Sequence, residues 1–255
     1  MPAEPRESVH ADGRLIVIAL EDVSKCYDSS SEAPVTAVND VSLVVSAGEF
    51  VVISGRSGSG KTTLLNLMAG LAAPSSGTVR VDGMDLWAIP DRARSRLRND
   101  TIGFVFQFPS LMPTLTALEN IMLPSAFGAG RRDSGLETRA RELLALVGIE
   151  EKAGAYPRQL SAGQQQRVVL ARSLAKRPRI ILADEPTSNL DECTEAEMMA
   201  LFRTVHESTD VTIVMVTHAL ELLSHGTRTI EMASGRIGAD RCESGRVGTQ
   251  VSSRS

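Results

Sequence analysis

Cysteine, lysine and long apolar runs are all scarce in this chain, and each scarcity closes off a class of protein. The three cysteines, Cys26, Cys193 and Cys242, lie far apart and lack C-x-x-C spacing. An odd count with no pairing pattern offers neither a disulfide framework nor a zinc site, and it suits a reducing compartment. The longest apolar run, residues 15–20, has six residues; a membrane-spanning helix needs about 20. Residues 1–14 are polar and carry no apolar leader core, so no signal peptide is expected. The chain is expected to be soluble, and work at a membrane would require a second protein to hold it there. Excess positive charge is missing too. A net charge of −4 and a pI near 5.7 argue against a broad basic face for nucleic acid. Lysine occurs only at Lys25, Lys61, Lys152 and Lys176, arginine supplying the other basic positions. That bias carries no function by itself, but it makes Lys61 conspicuous.

What remains is a globular composition, 42 % hydrophobic and 23 % charged over 255 residues. This length fits one large α/β domain or a domain with a substantial subdomain. Strands are expected at 14–20, 35–45, 49–54, 78–81, 102–106, 180–183, 211–216 and 228–232. A helix follows residues 55–63 and stops at Gly70, and the pattern turns helical at 115–122, 136–147 and 163–176. Residues 1–13 and 238–255 read as flexible termini around a domain at 14–237, with a helical subdomain at about 92–174.

Residues 55–63, GRSGSGKTT, match the P-loop pattern and lie between an expected strand and an expected helix. Gly55, Gly58 and Gly60 let the backbone curl so that amides of Arg56, Ser57, Ser59 and Thr63 join in surrounding phosphate oxygens. The helix dipole adds positive potential. Lys61 would reach the β- and γ-phosphates of a nucleotide, and the Thr62 hydroxyl would ligate Mg²⁺. Residues 180–185, IILADE, place two carboxylates at the C-terminal end of an apolar strand, where ligands sit in open α/β sheets. Asp184 suits a Mg²⁺ shell and Glu185 the polarisation of an attacking water. By itself, the segment also reads as a strand ending in a solvated acidic turn.

Residues 160–167, LSAGQQQR, resemble the signature motif of ATP-binding cassette (ABC) proteins. Ser161 and Gln164 also form a capping box for an apolar helix, and the two readings are compatible. Ala162 stands where the family usually has glycine, while Ser161 and Gly163 are intact. The resemblance implies that Ser161, Gly163 and Gln164 face ATP held by a second copy. It also implies that Tyr27 stacks on adenine, that Gln107 is the Q-loop residue touching Mg²⁺ and the attacking water, and that Asp191 is the D-loop residue crossing the dimer interface. His218 resembles the switch histidine at the γ-phosphate, with Glu185 the general base and Lys61 the phosphate cation.

Residues 106–121, the triple glutamine at 164–166, and residues 183–191 are similar to the ATPases of the macrolide-exporter, lipoprotein-releasing and cell-division subfamily. The implied fold is an α/β P-loop core with a mixed sheet, an N-terminal antiparallel β-subdomain and an inserted helical subdomain. The implied partners are a second copy on ATP binding and an integral membrane permease, placing the chain on the inner face of the cell membrane; no nucleic acid is expected. A soluble ABC ATPase acting on nucleic acid or ribosomes is the alternative; such relatives carry two cassettes or a coiled-coil insertion, and this chain has neither. A P-loop small-molecule kinase would leave residues 161–167 and Asp191 without a purpose. Phe108, Leu111, Met112 and Leu115, in a loop broken by Pro109 and Pro113, are expected to stay partly exposed as a permease-docking surface.

Overall fold

Alternation of side chains along three short central strands builds two cores at once, one on each face of a sheet. The computed structural model describes residues 13–28, 34–126 and 135–242, together with Val9. The first part of the chain forms β1 (Ile16–Tyr27), β2 (Val35–Ser46), β3 (Phe50–Ser54), α1 (Lys61–Met68), β4 (Ser76–Val81), β5 (Met84–Asp85), α2 (Asp91–Thr101) and β6 (Ile102–Val105). Three helices follow, α3 (Ala117–Ala126), α4 (Leu136–Leu146) and α5 (Ala162–Ser173). The chain returns to the sheet through β7 (Ile180–Asp184), α6 (Glu192–Thr209), β8 (Thr212–Thr217), β9 (Arg228–Ala233) and β10 (Arg236–Cys242).

Two sheets result. One is antiparallel, in the order β2-β1-β4-β5; the other is mixed, in the order β10-β9-β3-β8-β7-β6. Within the second, only the β9–β10 pair is antiparallel. All five residues of β3 are buried. Phe50 and Val52 join Ile181, Ala183, Ile213 and Met215 against the helical side, while Val51 and Ile53 join Ile180, Leu182, Val214 and Val216 against α1 and the antiparallel sheet. A strand buried on both faces has no polar side, which is why these segments read as continuous apolar runs. The helices pack by their own period: Ala140, Leu143 and Leu144 of α4, and Met198, Met199, Phe202 and Val205 of α6, are buried.

The expected limits hold within a residue or two for every expected strand but the first and for the helix at 136–147, and run further off for the helices at 115–122 and 163–176. β1 continues past residue 20 to Tyr27, through register shifts and a left-handed Asp22 (φ 51°) that interrupt its alternation. Inside the span 92–174, the strand expected at 102–106 forms as β6 and pairs with β7. Residues 238–242, expected in a flexible tail, belong to β10 and pair with β9. Their side chains are mostly exposed, so backbone pairing rather than an apolar pattern places them there. The rest of that expected tail, and most of residues 1–13, lie outside the described residues.

Arg228 ties the two sheets together. Its guanidinium donates to Asp240 Oδ1 (2.8 Å) and Oδ2 (2.6 Å) on β10, to Glu49 Oε2 (3.1 Å), and to the Val44 carbonyl of β2 (2.8 Å). Glu49 is buried, and the two carboxylates hold Arg228 further above the already high guanidinium pKa, Asp240 contributing most. Arg228→Met should therefore lower unfolding stability in urea by about 3 kcal/mol, since it strips a buried carboxylate of one cation. A loss under about 0.5 kcal/mol would mean that backbone pairing alone joins the sheets.

Candidate functional site

The loop from β3 into α1 is shaped from behind by two strands. A Cβ at residue 55 would stand 2.3 Å from the Met232 carbonyl oxygen of β9, and one at residue 60 would stand 2.1 Å from the Ala37 carbonyl oxygen of β2. Gly60 also has φ 100°, and it precedes α1 with no side-chain cap. Gly58, at φ 78°, has open space around it and is glycine for its conformation alone. The Ser59 carbonyl accepts from Gly235 N (3.0 Å) and Ser59 N donates to Arg56 O (3.1 Å), which fixes the curl. The first-turn amides of α1, from Lys61 through Thr63, have no partner inside the helix and point with the dipole toward the loop. This is a cradle for an anion.

Lys61, only 5 % exposed, donates from Nζ to the carbonyls of Gly55 (2.6 Å) and Arg56 (3.1 Å). Its ammonium lies 4.0 Å from Glu185 Oε1. A buried cation is tolerable when hydrogen-bonded and paired in this way. Glu185 follows β7 in a left-handed conformation (φ 43°), held by Glu185 N donating to Val216 O (2.9 Å). A non-glycine residue costs about 1–2 kcal/mol there, so the strain falls on the residue whose carboxylate must be aimed. Its Oε2 meets His218 Nδ1 at 3.0 Å, with the imidazole largely exposed. Lys61 and His218 thus stand at the two oxygens of Glu185.

Next to it, Thr62 Oγ1 donates to Asp184 Oδ1 at 3.1 Å. Burial pushes the Asp184 pKa up and the Glu185 charge adds to that, while the Thr62 hydrogen bond and Lys61 pull it down. Among the described residues no three His, Cys, Asp or Glu side chains form a metal cage. A hydroxyl beside one carboxylate is the partial donor set that Mg²⁺ takes, since it keeps waters and accepts phosphate oxygens for the rest. The residues present fit that ion.

The other expected site residues make hydrogen bonds and ring contacts of their own, beside those that join Lys61, Thr62, Asp184, Glu185 and His218. Ser161 caps α5 with a complete capping box: Gln164 N donates to Ser161 Oγ (3.2 Å) and Ser161 N to Gln164 Oε1 (3.0 Å). Gly163 is glycine because a Cβ would stand 2.5 Å from Thr194 Cγ2 of α6. Asp191 caps α6, accepting from Thr194 N (3.0 Å) and Thr194 Oγ1 (2.7 Å), and these bonds hold its carboxyl below the usual range. Tyr27 ends β1, partly exposed, with the Lys25 ammonium 4.9 Å from its ring centre. Gln107 follows β6, half-buried, and its carbonyl accepts from Asn189 Nδ2 (3.2 Å). Asn189 and Gln166, which donates to the Phe106 carbonyl (3.0 Å), had no role in the sequence reading. They lie inside motifs already noted, yet only the fold shows what they hold.

A cleft of about 680 Å³ lies elsewhere, between α2, β6 and the end of α5, and is lined by Leu71, Arg92, Arg96, Phe104, Phe106 and Lys176 among others.

The raised pKa of Asp184 sets a pH dependence. Relative to the unfolded chain, the folded state disfavours this carboxylate's charge, so its contribution is most favourable below the ordinary value of 3.8 and is lost as pH rises through the raised pKa. Asp184→Asn should melt higher than wild type at neutral pH in the absence of nucleotide. The gap should close toward acid, and equal melting temperatures at pH 7 would refute the desolvation argument.

The sequence family described as ABC transporter matches residues 38–188. An uncharacterized ABC transporter ATP-binding protein of Thermotoga maritima is 48 % identical over 221 residues, covering 87 % of this chain and 93 % of its own length. The lipoprotein-releasing system ATP-binding protein LolD of Geobacter metallireducens is 43 % identical over 88 % of this chain and 99 % of its own. The macrolide export ATP-binding/permease protein MacB of Syntrophobacter fumaroxidans is 42 % identical over 91 % of this chain, which spans only 32 % of that protein. A solved dimeric ATP-binding cassette, in a post-hydrolysis state with ADP and Pi, aligns at a TM-score of 0.80 and 40 % identity, covering 88 % of this chain and 98 % of that one. With the cradle, the paired carboxylates and these relatives together, the chain belongs to the ABC transporter family and is an ATP-binding, ATP-hydrolysing subunit with the ABC ATPase fold.

Proposed function

We propose that two copies of this chain close around two ATP molecules, each lying between the P-loop of one copy and the α5 N-terminus of the other, and that the cycle drives a separate membrane permease. The observation that carries the hydrolytic site is the convergence of Lys61, Glu185 and His218 beside Thr62 and Asp184. Residues 55–63 bind the phosphates through backbone amides, and Lys61 exchanges its two carbonyl partners for phosphate oxygens. Thr62, Asp184 and Gln107 hold Mg²⁺, which neutralises charge on the transferring phosphoryl group when bound. Glu185 takes a proton from the attacking water, and His218, hydrogen-bonded to it, orients that carboxylate and the γ-phosphate. Tyr27 stacks on adenine. Ser161, Gly163, Gln164 and Asp191 act on the opposite copy; their in-chain bonds cap α5 and α6 and place both helix ends at the surface. A homologous cassette solved as a dimer supports the pairing.

The permease reading rests on the relatives and on one exposed surface. This chain aligns with a third of a protein whose name joins ATP-binding and permease functions, and no helix among the described residues is long and apolar enough to cross a membrane. A permease supplied by another polypeptide would hold the chain at the inner membrane face. In the loop after β6, Phe108 is 67 % exposed and Met112 47 %. Leu111 instead packs against the helical-side core, and Leu115 is half-buried, so the docking surface expected from sequence is narrower than the four residues named. The basic cleft beside it, with Arg92 and Arg96 exposed on α2, extends that surface. A helix with apolar and acidic faces fits both.

Lys61→Ala should abolish ATP binding and turnover, and Glu185→Gln should keep binding while hydrolysis falls by about 10²–10⁴-fold. Isothermal titration and phosphate release check both; normal turnover in Glu185→Gln removes the carboxylate from the role of base. Phe108→Ser combined with Met112→Ser should leave basal ATPase near normal and abolish recovery with permease-containing membranes. Retained membrane association would place the docking surface elsewhere.

A further inference from the structure

Two side-chain amides grip consecutive carbonyls where the chain leaves β6. Gln166 Nε2, on α5, donates to Phe106 O (3.0 Å), and Asn189 Nδ2, in the turn after β7, donates to Gln107 O (3.2 Å). Further along α5, Arg172 donates to the Ser110 carbonyl (2.7 Å) and hydroxyl (3.0 Å). So α5 holds the loop 106–110 at both ends, and a single amide keeps Gln107 with the turn that carries Glu185. Gln166 is 2 % exposed, and its Oε1 has no hydrogen-bond partner among the described residues. An apolar side chain of the same shape would fill that space without the desolvation penalty of an unmet carbonyl. Packing does not account for glutamine at this position; the bond to Phe106 does.

We propose that Gln166 is a positioning residue that locks the loop 106–110 to α5, so that movement of the loop on nucleotide binding is delivered to Ser161 at the helix N-terminus. This rests on the reading above that Ser161 serves the ATP of the second copy. The two amides divide the loop between two bodies. Asn189 leaves Gln107 with the chain's own catalytic residues, whereas Gln166 links Phe106 to the helix that faces the other copy. Removing Gln166 therefore leaves Lys61, Asp184, Glu185 and Gln107 in place and frees the Phe106 end of the loop from the helix, with only Arg172 still joining the far end to α5. The defect falls on the opposite site.

Gln166→Met tests this. Its kcat should fall about tenfold, the factor expected from one buried hydrogen bond that matters only in the closed state. KM for ATP should stay within roughly twofold, and the melting temperature should not drop, because the orphan Oε1 is removed with the amide. Mixed with Lys61→Ala chains, the variant should regain ATPase, since the heterodimer keeps one site built from an intact P-loop and an intact α5. A mixture of Ser161→Arg with Lys61→Ala chains, run in parallel, tests the underlying reading. If the Ser161 mixture recovers and the Gln166 mixture does not, the lock fails while the reading stands; if neither recovers, the reading falls and takes the lock with it. Wild-type kcat, or a kcat loss matched by a lower melting temperature, also overturns the proposal. Should Gln166→Met not fold, Arg172→Met loosens the same loop from α5, and its mixture with Lys61→Ala decides by the same criterion.

Discussion

Two carbonyl oxygens, of Ala37 and Met232, occupy the space in which side chains at residues 60 and 55 would begin. One belongs to the antiparallel sheet and the other to the mixed sheet, so the phosphate cradle sits at the seam between them. Asn39 N donating to Gly235 O (2.8 Å) and Gly235 N donating to Ser59 O (3.0 Å) cross the same region, while the Arg228 staple joins the two sheets at the opposite end of β3. A loop pinned on its back by backbone leaves its amides free on the front. The catalytic geometry thus depends on close backbone packing that tolerates no Cβ, and the glycines serve the fold behind the loop as much as the ligand before it.

The charges of the site are arranged at some expense to stability. Asp184 resists ionisation because it is half-buried, Glu185 sits in a left-handed conformation, and Lys61 is buried with its ammonium bonded to two carbonyls. Under the proposed function, phosphate and a divalent ion would supply charges opposite to these groups. Preorganisation of this kind lowers the reorganisation needed at the moment of reaction. It also makes nucleotide a stabilising ligand by mass action.

Residues read as functional often had complete structural explanations as well. Ser161 and Asp191 are full N-caps, with every bond a cap requires. A capped helix start is rigid and presents its remaining amides outward, which is what a site completed by a second copy needs. The structural and functional readings are therefore layered. The capping bonds set where the helix ends point, and in the proposed dimer the second copy would determine what they meet.

The P-loop, the two carboxylates after β7 and the central strands were legible in the sequence because their requirements are local: a glycine pattern, a strand end, an apolar run buried on both faces. The helix α2 was not, since Asp91–Thr101 is almost entirely polar. Tertiary contacts hold it, among them Arg94 stacked 3.9 Å over Trp87 and Arg98 donating to Gly70 O (3.2 Å). The edge strand β10 is hidden in the sequence for the same reason, since only Ile237 packs against the core and the rest is held by its neighbour's backbone and by Asp240. Leu111 and Met112 look equivalent in sequence, yet one faces the core and the other does not. The sequence by itself determined the chemistry, because motif residues must have the right functional groups at the right spacing along the chain. Only the tertiary structure decided which of them share one site, that Gln166 and Asn189 divide the loop after β6, and which surface stays open, because those depend on contacts between residues far apart in the chain, 122 positions for Thr62 and Asp184 and 82 for Asn189 and Gln107.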